Sequence, residues 1–165
     1  MRRMQLHETL EYDAPPDRVF AMLCDRSWRE RVCQETKAVR WTVAIRATSD
    51  SAEISVVRVL PARVPDLMKA MVGDTIETSQ DERWGPAAAN GSRRATMTVQ
   101  VTGQPATVTG EVRLEPNGSG TRQTISGDIS VSIPFIGRRI EAVIGEGIRA
   151  AVVVEQRLGQ AYLAT

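Results

Sequence analysis

The C-terminal segment constrains the fold of this chain more than any other stretch. From Ile136 to Tyr162, apolar or small residues recur at three- and four-residue spacing: Ile136, Ile140, Val143, Ile144, Gly147, Ile148, Ala151, Val154, Leu158 and Tyr162. That spacing predicts one helix with one buried face. At about 1.5 Å per residue it would run about 40 Å, the width of a small domain. A helix so long, arriving last, has to lie across structure specified upstream. The upstream pattern is strands, so the expected arrangement is a curved sheet gripping one helix, with a hollow between them.

Met4, Leu6, Leu10 and Tyr12 alternate with polar residues and predict a first strand. Asp13-Ala-Pro-Pro-Asp then opens a short helix through Val19, Phe20 and Leu23, the prolines suiting a first turn that needs no amide donors. A second short helix is expected from Asp25, in a capping position, to Cys33. Strands resume near Ala38, with Ser49-Asp50-Ser51 as a hairpin turn and Glu53 to Leu60 as the return. Pro61 and Pro65 break that strand, and Pro65 to Val72 reads as a helical insert ended by Gly73. A more polar strand, Thr75 to Trp84, precedes three with clean alternation. Their apolar faces are Ala95, Met97, Val99 and Val101, then Ala106, Val108, Val112 and Leu114, then Ile125, Ile129, Val131 and Ile133. One apolar and one polar face per strand predicts an antiparallel sheet, wet on the convex side only.

A length of 165 residues suits a single domain spanning 1–165, with enough chain to bury a core. Lysine and arginine number 21 against 20 acids, so the net charge is +1 and no strong basic field is available for nucleic acid. No apolar run reaches the length of a membrane-spanning helix, and integral membrane association is not expected. The opening Met-Arg-Arg-Met-Gln-Leu-His-Glu has no apolar core behind its arginines, so no secretory signal is read and the expected compartment is the cytoplasm. Cys24 and Cys33 are expected to be free thiols. Aromatics are only 4% of the chain, leaving few large rings to fill a space between sheet and helix.

Several stretches carry a family resemblance: Tyr12-Asp-Ala-Pro leading into Val19-Phe20 and Leu23-Cys24-Asp25, and Ile133-Pro-Phe-Ile-Gly opening the last helix. With the element order, these resemble the START-like superfamily (SRPBCC), which includes polyketide cyclases and lipid-transfer domains. Val64-Pro-Asp-Leu, Val72-Gly-Asp-Thr, Val112-Arg-Leu-Glu-Pro-Asn-Gly-Ser-Gly-Thr, Pro134-Phe-Ile-Gly and Arg139-Ile-Glu are similar, more narrowly, to the bacterial domain of unknown function 2505. The resemblance covers essentially the whole chain. It implies an α+β helix-grip fold: an antiparallel sheet of about seven strands around a long C-terminal helix, two short helices after the first strand, and a hydrophobic cavity. It brings no catalytic residue with it.

The residues themselves offer little chemistry. His7, the one histidine, falls on a polar strand face, and one histidine builds neither a multi-histidine metal site nor a nucleophile triad with its neighbours. No phosphate-cradling loop or nucleophile elbow is present. No metal, cofactor or catalytic residue is therefore assigned. Polar residues in apolar registers are more informative: Glu8 beside Leu6 and Leu10, Arg58 beside Ile54 and Val56, Glu82 beside Ile76 and Trp84, and Glu155 near Ala151 and Leu158. A buried charge is paired or shifts its protonation, so these form either structural pairs or a polar anchor for a ligand. Gly145 and Gly147 with Ala151 open a gap on the helix, serving either a ligand or a close backbone approach. Arg138 and Arg139, at the start of the helix, either receive an anionic group or pair with Glu141 and Glu146.

Three functions remain open. The first is a carrier or sensor of a small hydrophobic molecule (lipid, polyketide or isoprenoid), held by Glu8, Trp41, Arg58, Glu82, Trp84, Met97, Val112, Ile125, Ile129, Gly147, Ile148, Ala151 and Glu155 around one pocket of about 300–1,000 Å³. The second is a cyclase- or aromatase-like enzyme using Glu8, Glu82 or Glu155 for proton transfer. The third is a protein-interaction module presenting Leu67, Met68 and Met71.

Overall fold

The computed structural model describes residues 3–165; Met1 and Arg2, where the stretch read for a secretory signal begins, lie outside the described residues. The strand β1 (Met4–Tyr12) leads into helices α1 (Pro16–Leu23) and α2 (Arg26–Glu35), then the hairpin β2 (Arg40–Ala47) and β3 (Ala52–Pro61). Helix α3 (Asp66–Val72) interrupts the path to β4 (Thr75–Trp84), which is followed by β5 (Arg93–Val101), β6 (Ala106–Asn117), β7 (Gly120–Val131) and α4 (Gly137–Leu163). The fold is the expected α+β helix grip, with seven antiparallel strands among the described residues.

Local chemistry sets most of these boundaries. Pro16 begins α1, where a missing N–H costs nothing. Asp25 caps α2, its Oδ1 accepting from the backbone amides of Ser27 at 2.9 Å and Trp28 at 3.3 Å. Gly73 ends α3 with a φ of +81°, a conformation that glycine adopts without strain.

The strand order is β1-β7-β6-β5-β4-β3-β2, so the first strand joins the last and β2 is left at the opposite edge. Period-2 alternation cannot reveal that long-range pairing. The chain crosses from one edge to the other through α1 and α2. Gly110 and Gly127 face each other across β6 and β7, and a Cβ on either would overlap the partner strand's backbone. This pair lets the ladder bend more tightly than side chains would permit. Leu10, Met22, Ile54, Leu114 and Ile129 are fully buried in the resulting core.

Helix α4 runs 27 residues, about 40 Å at the usual rise. It packs chiefly on β1 and β7, then on α1 and α2. Its buried residues are Glu141, Gly145, Val152, Leu158, Gly159 and Leu163, so the face touching the sheet is rotated from the stripe read in the sequence. Gly147 is exposed, with open space where a Cβ would stand, and it does not sit under the helix as expected. The apolar stripe is wider than the contact it makes. At about 100° per residue, Ile140, Gly147, Ala151 and Val154 fall on a flank next to the contact face, and this flank is the half that periodicity weighted most.

Candidate functional site

Arg29 of α2 and Glu82 of β4 form a buried bidentate pair, Nη1 to Oε2 at 2.9 Å and Nη2 to Oε1 at 3.0 Å. Arg29 Nε also donates to the carbonyl of Leu23 at 2.7 Å. Glu82 accepts further bonds from Gln80 Nε2 at 2.6 Å and Trp84 Nε1 at 2.9 Å. Burial opposes the charge on Glu82, but Arg29 and these donors overcome it and hold the carboxyl below its ordinary range. All four Glu82 contacts are charge-assisted, which makes this pair a rigid post between α2 and the sheet.

A second, looser polar set stands beside it. Arg58 of β3 donates Nη2 to Gln80 Oε1 at 3.2 Å and Nη1 to Thr36 Oγ1 at 3.4 Å. Its Nε is buried and has no hydrogen-bond partner among the described residues, and Arg58 forms no ion pair among them. Glu155 of α4 approaches from the other side. Desolvation raises its carboxyl pKa above the ordinary value against the pull of Arg29 and Arg58, with Glu82 adding to the rise. Arg29, Val32, Cys33, Val56, Arg58, Gln80 and Glu155 surround a void of about 10 Å³. That is room for about one water-sized atom.

The thirteen expected pocket residues divide into groups. Arg58 and Glu155 meet at the small void, with Glu82 behind them in its pair with Arg29. Trp84, Met97, Val112, Ile125 and Ile129 are packed in the core, each under a tenth exposed. Phe20 helps to fill that region, its ring edge-on to Trp84 at 5.5 Å. Ile148 and Ala151 are half-buried on α4, while Gly147 points to open space. Glu8 lies on the inner face of β1 but reaches Arg149 at the helix edge, 3.4 Å away. Trp41 is half-buried at the β2 edge and lines a different hollow of about 670 Å³, shared with Trp28 and Gln34 of α2 and with Leu158, Ala161 and Tyr162 of α4.

Sequence reading missed Arg29, Gln80 and Glu141. Arg29 stands in register with Val32 and Cys33 on the buried face of α2, the same clue that singled out Glu82 on its strand. One of the two readings of Arg138 and Arg139 pairs them with Glu141 and Glu146 on the surface. Glu141 is instead buried, with Oε1 accepting from the amide of Val131 at 3.3 Å, while both arginines are exposed. In the α3 insert Met68 is buried, but Leu67 and Met71 remain exposed. Cys24 and Cys33 are free thiols, with burial pushing both pKa values up. Among the described residues no three histidine, cysteine, aspartate or glutamate side chains are grouped to hold a metal, and no helix is long and apolar enough to cross a membrane.

Seven strands wrapped around a terminal helix give the START-like helix-grip fold. Within that class the chain belongs to the family described as protein of unknown function (DUF2505), whose model matches residues 7–163. An uncharacterized protein of Mycobacterium tuberculosis is 27% identical over 138 residues, which is 79% of each chain. Among solved structures, the Zhui aromatase/cyclase from Streptomyces sp. R1128 superposes with a TM-score of 0.63 at 10% identity, covering 98% of this chain and 93% of that one. The lipid transfer and protein localization domain of human StarD13 gives 0.59 at 18%, covering 94% and 76%. The STAR-related lipid transfer protein from Xanthomonas axonopodis gives 0.59 at 13%, covering 96% and 85%. At these identities the solved structures establish the shared fold.

Proposed function

We propose that this protein binds a small hydrophobic molecule along the open flank of α4, as a carrier or sensor in the cytoplasm. The observation behind this reading is the mismatch between the apolar width of α4 and the sheet it covers. One face of the helix is sealed on β1 and β7, while Ile140, Ala151 and Val154 on the adjoining flank stay half-exposed. Across the grip, the inward residues Leu60, Ile76, Val99 and Val101 of β3, β4 and β5 are also half-exposed. Partly exposed apolar residues on the helix flank and on the inner sheet face lack some of their dispersion contacts, which a bound apolar chain would restore. The lipid-transfer and aromatase/cyclase names of proteins sharing this fold agree with an apolar ligand. The near-neutral charge gives no support to nucleic acid as a partner.

Substitution of Ala151 by tryptophan tests the seat. Ala151→Trp is expected to abolish the thermal stabilisation given by apolar ligands, whereas Val153→Trp, on the exposed side of α4, leaves it intact. Equal ligand response in both variants would place the ligand elsewhere, with the hollow beside Trp41 as the first alternative.

An enzymatic reading has one observation in its favour. Glu155 holds its proton above the ordinary carboxylate range and lies near the groove, as a general acid would. Glu82 is locked in its ion pair and Glu8 is turned to Arg149, so Glu155 would act without a second carboxyl free to exchange protons.

A further inference from the structure

We infer that the hydrophobic ligand of this groove is an acid, and that Arg58 receives its carboxylate at the small void between α2, β3 and α4. The inference rests on the binding reading above and adds the chemistry of the head group. Its basis is an imbalance of partners. Of the two arginines at the waist, Arg29 has its charge matched by Glu82 and each donor group engaged. Arg58 has only neutral partners, Gln80 and Thr36, at long distances of 3.2 and 3.4 Å, and its buried Nε is left unpaired. A half-buried guanidinium without a counter-charge is costly, and a planar carboxylate is the group that best matches its fork.

The surroundings select the size and orientation of the ligand. The void of about 10 Å³ admits one oxygen-sized atom, so one carboxylate oxygen can enter it while the second stays toward the groove, and a phosphodiester is too bulky. Leu60 follows Arg58 on the same face of β3, and it pairs with Ile76 of β4. Thr78 pairs with Val101, and Gln80 with Val99. The polar end therefore continues directly into the half-exposed apolar surface, where an aliphatic tail would lie against Ala151 and Val154. Glu155 is the one carboxyl at the void outside an ion pair. Burial raises its pKa, which lessens its repulsion of a bound carboxylate.

The test uses three probes with one tail and different heads: dodecanoic acid, dodecanol and dodecyltrimethylammonium, titrated calorimetrically into the wild-type protein, Arg58→Gln and Glu155→Gln. The wild type is expected to bind the acid about tenfold or more tighter than the alcohol, and the ammonium most weakly. Arg58→Gln should bring acid and alcohol to similar affinity while the alcohol changes little. Glu155→Gln should keep the preference for the acid. Equal wild-type binding of acid and alcohol, or an acid preference that survives Arg58→Gln, would overturn the head-group assignment while leaving the groove intact. Loss of acid and alcohol together in Arg58→Gln would assign Arg58 to the framework and not to the ligand. Failure of all three probes on the wild type would remove the binding reading itself, and this inference with it.

Discussion

Arg29 and Glu82 lie far apart in sequence, yet they meet through two parallel hydrogen bonds of 2.9 and 3.0 Å with both side chains almost wholly buried. Breaking one half of a buried pair leaves the other charge stranded, at about 3–5 kcal/mol. Glu82→Gln should therefore lower stability by that order in urea unfolding. Replacing both residues with apolar ones of similar volume should cost much less, since it removes the desolvation cost together with the attraction. Similar losses in the single and double variants would show that Arg29 matters through Leu23 or packing instead.

Glu155 and Glu82 titrate in opposite directions. The carboxyl of Glu155 is raised from its ordinary value of 4.5, so the native state holds a proton that the unfolded chain releases. Its contribution is fully present below pH 4.5 and is lost as pH rises through the raised folded value. Glu82 is lowered, so its contribution is present above 4.5 and lost as pH falls through its folded value. Arg29, Arg58 and Glu82 all act on Glu155, and the balance of those charges sets where the loss occurs. Urea midpoints of Glu155→Gln should gain on the wild type as pH climbs above 4.5. Parallel curves over that range would rule out the raised pKa.

Two helix glycines should respond oppositely to alanine. A Cβ at Gly159 would overlap the ring of Tyr12, so Gly159→Ala should cost about 1–3 kcal/mol through overpacking. Gly147 faces open space in a long helix, and Gly147→Ala should add up to about 1 kcal/mol. Thermal melts of the pair check both. A destabilised Gly147→Ala would contradict the open space beside this turn of α4.

The sequence was most readable where a single element decides the pattern. Alternation in β5, β6 and β7 is unambiguous because each has one wet face, and Asp25 and Gly73 end helices through local bonding alone. The pairing of β1 with β7 had no local signature. On α4, glycines and alanines broadened the apolar stripe until its centre could not be read, which is how Gly147 came to be placed beneath the helix. Glu82 stood out as a charge in an apolar register. Its partner Arg29 did not, because α2 carries five charged residues in ten and its buried face is short.

Native mass spectrometry of the protein isolated from its own host, followed by solvent extraction, tests the central claim most directly. Binding of a small hydrophobic molecule predicts a fraction of the protein carrying a discrete added mass, released on denaturation and recovered in the organic phase; Ala151→Trp should abolish that fraction. Bare protein alone in repeated preparations, with no stabilisation by a panel of apolar compounds, would contradict it.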